Sequence, residues 1–225
     1  MIEYTLIRSR RKTVVIHITK EAVVEVRAPL KMPKIEIDRF VNSKETWIEK
    51  HLSKREQLNE MKSVFTLNYG GTALLRGCPY PVRAKDGNRI GFNSEGFYIP
   101  LGLPPDDIKR AVIQIYKMEA KRTLKEKVGE YSELMGVVPA AARITSAKTR
   151  WGSCSGKNSI NFSWRLIMAD DGVIDYVVVH ELAHIKEHNH LPRFWAVVEK
   201  AMPDYRTRQK RLKLLQKELA AQDWD

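Results

Sequence analysis

The segment HELAH, residues 180–184, holds the side chains best suited to chemistry in this chain. Two histidines four residues apart on a helix lie on one face about one turn apart, so both imidazoles can bind one tetrahedral metal ion. The alternative is a solvated helix end whose histidines only cap carbonyls. A run of valines before His180 favours a buried helix instead. The segment therefore predicts a zinc site with His180 and His184 as ligands.

Glu181 is the candidate general base. It follows the first ligand directly, so its side chain leaves the helix about 100° round from His180 and can face a zinc-bound water rather than the metal. A carboxylate in that position can take the proton of the water during its attack on a substrate. We therefore predict that Glu181 is catalytic and is not a ligand.

A zinc ion that keeps an open position for water needs a third protein ligand. His190 lies six residues after His184, and a turn at residues 186–189 can bring it back to the metal. We expect the helix to continue to about Glu187, which would leave His188 too far along the helix axis. His190 is therefore the predicted third ligand of one Zn²⁺ per chain, with His188 and the more distant Glu199 as alternatives.

Four other residues have both a functional and a structural interpretation. Arg150 and Trp151 can hold an anionic or extended substrate beside the cleft, or they can belong to a tight turn before a core strand. Tyr205 can donate a hydrogen bond to a developing oxyanion, or it can pack on Trp195. Cys154 can approach the zinc as a thiolate, but beside three histidines a small buried side chain is the simpler interpretation.

The charge balance favours acidic partners. The 225 residues include 39 Lys and Arg against 27 Asp and Glu, a formal charge of +12. Nucleic acid, anionic lipid headgroups, nucleotides and acidic peptides would all be attracted by this excess charge, which does not choose among them. The basic stretches Arg8–Lys12 and Arg206–Lys213 can bind phosphates or form solvated faces.

The cysteines and the apolar runs bear on location. Cys78 and Cys154 form no CxxC pair, which fits a reducing compartment. The opening MIEYTLIRSRRK has charges where a secretory signal needs an apolar run, and no stretch approaches the ~20 apolar residues of a membrane span. We therefore expect a cytoplasmic protein without a membrane partner.

The elements that must position the site begin with a strand-rich region. Residues 4–28 alternate apolar and polar side chains, which predicts two or three strands. Residues 35–61 have helical spacing and predict one or two amphipathic helices. Short apolar runs between turn signals predict a second group of strands over residues 65–100. We expect this region, residues 1–100, to precede a metallohydrolase core at residues 101–225.

The second half is predicted to be mostly helical. A long helix should begin at Pro104-Pro105, where proline and acidic residues suit a first turn, and end at Gly136. Residues 143–147 and 159–163 predict strands on either side of a turn-rich segment at 151–158.

Three further helices complete the pattern. Asp170 or Asp171 can cap the helix that carries HELAH, and other helices should begin near Pro192 and Pro203. Strands that mostly precede helices indicate the α+β class.

Several longer motifs run through the chain: YTLIRSRRKTVVIHI from Tyr4, VRAP at 26–29, Trp47-Ile48, RWGSCS at 150–155, DYVVVHELAH at 175–184, Asn189-His190 and Phe194-Trp195. With these motifs, almost the whole chain resembles the YgjP-like metallopeptidase-like family, whose motif relatives are the SprT-like and WLM zincins. The HExxHxxxxxH spacing is also similar to that of the metzincins, but Glu187 stands where they have a glycine.

The resemblance implies a zincin-like core with an HExxH active-site helix and a zinc ion bound by His180, His184 and His190. It also implies that the strand at residues 160–164 lies along the rim of the cleft, where zincins pair such a strand with extended substrate.

These observations favour a cytoplasmic zinc metallopeptidase in which Glu181 activates a zinc-bound water. One alternative is a metal-dependent nucleoside triphosphate pyrophosphohydrolase, because such a water can also attack phosphorus and the positive charge would attract triphosphates. The other is a nucleic-acid-associated SprT-like protease, although the sequence has no zinc finger or RNP motif.

Overall fold

The computed structural model describes residues 2–63 and 65–224. Contacts divide these residues into two compact units: the residues up to Phe65 with residues 219–223, and residues 66–218 with Trp224. The boundary predicted at residue 100 concerns where the metallohydrolase core begins, so it stays a prediction.

Among the described helices, none combines the length and the apolar character that crossing a membrane requires.

The first unit is a small sheet covered by helices, as the alternation and the helical spacing predict. Its strands are β1 (Thr5–Ser9), β2 (Val15–Ile18) and β3 (Val24–Pro29), and its helices are α1 (Lys34–Asn42) and α2 (Glu45–Ser63). Strand β3 lies in the middle, parallel to β1 and antiparallel to β2. Alternate residues of β3 point into a core that they share with α1 and α2: Val24, Val26, Ala28, Ile37, Val41 and Ile48.

The second unit begins with a four-stranded sheet, which confirms the second group of strands. The strands are β4 (Thr72–Leu75), β5 (Cys78–Lys85), β6 (Gly91–Asn93) and β7 (Gly96–Pro100), in the spatial order β4-β5-β7-β6. Helix α3 (Pro105–Met135) follows and ends at Gly136, whose left-handed conformation, φ 60°, suits glycine. The predicted bounds of this helix are confirmed.

A three-stranded sheet comes next: β8 (Ala141–Thr145), β9 (Gly152–Cys154) and β10 (Ser159–Ser163). The turn-rich segment predicted at residues 151–158 also contains a strand that was not predicted, β9, which pairs antiparallel with β10. Strand β8 begins two residues earlier than the predicted 143–147, in parallel register with β10. A 3₁₀ helix, Trp164–Met168, then leads to the HELAH segment.

The last three helices are α4 (Asp171–Ala183), α5 (Pro192–Ala201) and α6 (Tyr205–Ala220). Each begins within two residues of the predicted start. The α+β class is confirmed, with strands in the N-terminal half and long helices in the C-terminal half.

The turn between β4 and β5 fixes the start of α4. The amides of Arg76 and Gly77 donate to the carbonyls of residues 167–168 at 2.8 and 3.1 Å. The guanidinium of Arg76 also binds both carboxylate oxygens of Asp171, at 2.6 and 2.7 Å. A Cβ at Gly77 would lie 2.8 Å from the Cβ of Asp170, so only glycine allows this close approach.

Candidate metal centre

Helix α4 carries the first histidine, which is partly buried, and the glutamate, which is buried. The Asp170 carboxylate accepts a hydrogen bond from the amide of Val173 at 3.1 Å and so caps the helix. Residues on every side of α4 are buried, as expected of a helix that is apolar all round. Glu181 is only 6% exposed despite its ionisable side chain.

The chain leaves α4 in a tight turn. The helix ends at Ala183, earlier than the expected Glu187, because the amide of Ile185 bonds to the carbonyl three residues back, at Leu182. One bond of helical type remains, from the amide of Glu187 to the carbonyl of Ala183 at 3.0 Å. This turn places the Glu187 carbonyl beside the second histidine of the motif.

That carbonyl fixes the tautomer of His184. Its oxygen lies 3.2 Å from Nδ1 of His184 and can only accept a hydrogen bond. Nδ1 therefore carries the hydrogen, and Nε2 keeps a free lone pair. Metal-binding histidines commonly donate their second ring N–H to a carbonyl in this way.

The structure brings three of the predicted site residues together. One ligand-capable atom from each of His180, His184 and His190 lies within 4.8 Å of the other two. Nε2 of His180 and Nε2 of His190 are 3.0 Å apart. The two alternatives for the third ligand, His188 and Glu199, are exposed and lie outside this group.

The donor set fits zinc. Nitrogen ligands at about 2.05 Å in a tetrahedron are separated by about 3.3 Å, which lies within the range that these three imidazoles span. Burial, followed by the neighbouring His184 and His190, lowers the pKa of His180 to about 3. Burial also lowers the pKa of His184. Both imidazoles are therefore neutral near pH 7, which is the form that binds metal.

An aromatic side chain closes the cluster from one side. The ring of Phe194, fully buried at the start of α5, lies 4.9, 4.5 and 4.7 Å from the rings of His180, His184 and His190. Trp195 adds contacts to His180 and His190 at 5.9 and 5.8 Å. Helix α5 thus packs directly on the histidines. This contact of Phe194 with all three histidines was not predicted from the sequence.

The side chain of Glu181 packs against strand β9 at Gly152. A Cβ at Gly152 would lie 2.5 Å from Oε1 of Glu181 and 2.6 Å from its Cγ. Burial raises the pKa of Glu181 to about 7, and the positive charge of Arg150 opposes that shift. A carboxylate with a pKa near neutrality is suited to both accept and return a proton. This role of Gly152 is not evident from the sequence, because Glu181 is distant from it along the chain.

The strand expected to pair with substrate is not free to do so. Strand β10 occupies the centre of its sheet, paired with β8 on one side and β9 on the other. Among the described residues both sides of β10 are thus occupied, which contradicts the pairing with extended substrate that the resemblance implied for residues 160–164. Strand β9 is the edge strand beside Glu181. Side chains of Asn161 and Ser163 instead line a hollow of about 360 Å³ with Arg150 and Gly152.

The remaining candidates have distinct surroundings. Trp151 is half-buried, and its carbonyl accepts a bond from the amide of Ser163 at 2.8 Å. Tyr205 stacks on Trp195 at 5.4 Å, which is the packing alternative, and its hydroxyl accepts a bond from Nε of Arg206 at 3.1 Å.

Cys78 and Cys154 are free thiols. Cys154 lies outside the histidine group. Burial, with a smaller contribution from Glu181, raises the pKa of its thiol. A thiol held in its neutral form is a poor metal ligand.

The chain matches a known protein family over most of its length. The family model of the YgjP-like metallopeptidase domain matches residues 12–214. The metallopeptidase zymogen abylysin of Pyrococcus abyssi is similar at 23% identity, with a TM-score of 0.38 over 43% of this chain and 94% of that chain. The metallopeptidase zymogen jannalysin of Methanocaldococcus jannaschii is similar at 22% identity, with a TM-score of 0.36 over 42% and 95%. The chain matches none of the curated proteins.

Proposed function

Since the chain belongs to the YgjP-like family of metallopeptidase domains, we propose that it is a zinc metallopeptidase of the HExxHxxxxxH type. The observation that carries the proposal is the cluster of His180, His184 and His190, whose ligand-capable atoms lie within 4.8 Å of one another. In this proposal residues 101–225 form the zincin-like core.

Zinc bound there supplies a Lewis acid that acidifies a water molecule and polarises a peptide carbonyl. Glu181, next to the cluster and buried against Gly152, accepts the proton of the attacking water on its carboxylate. It then returns that proton to the nitrogen of the leaving amine. Burial raises the pKa of the Glu181 carboxyl, which favours the return of the proton to the leaving group.

The surroundings of the cluster support peptide binding. Arg150 lines the hollow beside Gly152, where it can hold a carbonyl or carboxylate of the substrate. Tyr205 remains a candidate oxyanion contact, because a hydroxyl that accepts from Arg206 still has its own hydrogen to donate.

Peptide or protein substrates follow from the family, whereas neither the family match nor the structural neighbours support a nucleotide or nucleic acid partner. The proposal includes a cytoplasmic location.

Two measurements test the proposed function. Elemental analysis of protein purified without chelator should find one zinc per chain. A casein and peptide-library digest, run beside a panel of nucleoside triphosphates, should show cleavage of peptides alone, lost with chelator and restored with zinc. Chelator-sensitive hydrolysis of triphosphates without any peptide cleavage would contradict the proposal.

A further inference from the structure

A groove of about 560 Å³ lies between α5 and α6. Trp195 and Tyr205, stacked at 5.4 Å with their rings 17° apart, supply its aromatic surface. Trp195 also contacts the ring of His190 at 5.8 Å. The groove therefore begins one side chain away from the histidine cluster, within reach of a substrate bound there.

Three cations line this groove from one face of α6. Arg206, Lys210 and Lys213 follow the spacing i, i+4, i+7, which places them in one row. Arg206 is held in place by its bond to the Tyr205 hydroxyl, 3.1 Å long. Lys210 and Lys213 have no ion pair or hydrogen bond with any residue in the described part of the chain.

Two arginines on the same helix are neutralised within the fold. Arg208 pairs with Asp204 at 2.9 Å, and Arg211 pairs with Asp170 at 2.8 Å. Lys210 and Lys213, which have no such partner, line the groove instead. Three positive charges against the single carboxylate of Glu199 leave the groove basic.

We propose that this groove binds an acidic segment of the peptide substrate next to the metal centre. This inference rests on the proposed function, because only a peptidase would bind the peptide as its substrate. Lys210 and Lys213 attract Asp or Glu side chains, while the aromatic surface covers the apolar parts of the peptide. Glu199 can accept a backbone N–H from a peptide, whereas it would repel the phosphates of a nucleic acid.

Binding measured apart from cleavage tests the groove. Fluorescence anisotropy would follow a labelled peptide that contains four consecutive Glu residues and a matched peptide with four Gln. Every protein in this assay carries Glu181→Gln to suppress turnover. The groove variant is Lys210→Ala with Lys213→Ala. The control is Lys121→Ala with Lys125→Ala, which removes the same charge from exposed positions of α3 outside the groove.

We expect the Glu peptide to bind about tenfold more tightly than the Gln peptide. In the groove variant this ratio of the two affinities should fall by about fivefold. The control should lose less than twofold. Equal losses in the two double variants, or no preference for the Glu peptide, would overturn the inference. The inference would also be overturned if Lys210→Ala with Lys213→Ala weakened the binding of a single-stranded oligonucleotide but left the binding of the Glu peptide unchanged. If the Glu peptide binds in the groove but no peptide is cleaved by the parent protein, the proposed function fails and the binding site stands.

Discussion

Replacing Gly152 with alanine should remove most activity without removing the metal. The added Cβ would lie 2.5 Å from Oε1, 2.6 Å from Cγ and 2.7 Å from Cδ of Glu181. Carbon and oxygen atoms in ordinary contact are separated by about 3.5 Å, so the carboxylate has to move by about 1 Å. Glu181 is 6% exposed and cannot simply swing into solvent. The three histidines contact Phe194 rather than Gly152 and should still bind zinc.

The magnitude follows from the displacement. A misplacement of about 1 Å in a catalytic group costs on the order of 100-fold in rate, or about 2.7 kcal/mol in the activation free energy. The same crowding should lower the free energy of unfolding by about 1–3 kcal/mol. Gly156→Ala is the matched control, because a Cβ at Gly156 meets nothing within 4 Å.

The assay combines kcat/KM on a cleaved peptide, zinc content and thermal unfolding. A second comparison places Gly152→Ala in a Glu181→Ala background, where no carboxylate remains to be displaced. There the extra alanine should change residual activity by less than twofold and should no longer lower the Tm. Full activity in Gly152→Ala, or an equal loss of activity and Tm in both backgrounds, would refute the role of Gly152 in positioning Glu181.

The other predictions concern the base, the ligands and the fold. Glu181→Gln should keep its zinc but lose at least about 100-fold in turnover; parent-like kcat would remove Glu181 from the mechanism. Zinc content should fall sharply in His184→Ala, and unchanged content would reject that ligand. In competitive chelator titrations His190→Ala should lose far more zinc affinity than His188→Ala, and the reverse order would exchange the two histidines. Gly77→Ala should lower the free energy of unfolding by about 1–3 kcal/mol in chemical denaturation, because its φ of 77° and the nearby backbone resist a side chain; a parent-like midpoint would contradict this.

The residues of the histidine cluster could be predicted because their positions depend on short spacings. Four residues on a helix place His180 and His184 on one face whatever surrounds them. The return of His190 requires only a turn that starts near the helix end. The residue at which this turn starts could not be predicted. After Ala183 the main-chain amides bond to carbonyls three residues back, and no residue type in this segment signals that change.

The need for glycine at position 152 could not be predicted from the sequence, for a different reason. Its conformation is not one of the positive-φ cases that mark glycine in turns. What requires glycine is the side chain of Glu181, which is distant in sequence and reaches it only because α4 packs on β9. The same segment contains the short strand β9, which was not predicted because three residues show too little alternation to be recognised among turn residues.

The histidine cluster and Glu181 lower the stability of the folded chain when no metal is bound. A carboxyl buried in α4 and two imidazoles with lowered pKa values all cost free energy of desolvation. Nδ1 of His180 is buried without a hydrogen-bond partner among the described residues, which adds to that cost. By contrast, the arginines of α6 outside the groove are paired with carboxylates. Charged groups are therefore paired on that face of α6, whereas around His180 and Glu181 polar groups are buried at a cost in free energy. A bound cation offsets such a cost by interacting with the neutral imidazoles, so the departure from those rules is itself an argument for a metal at this position.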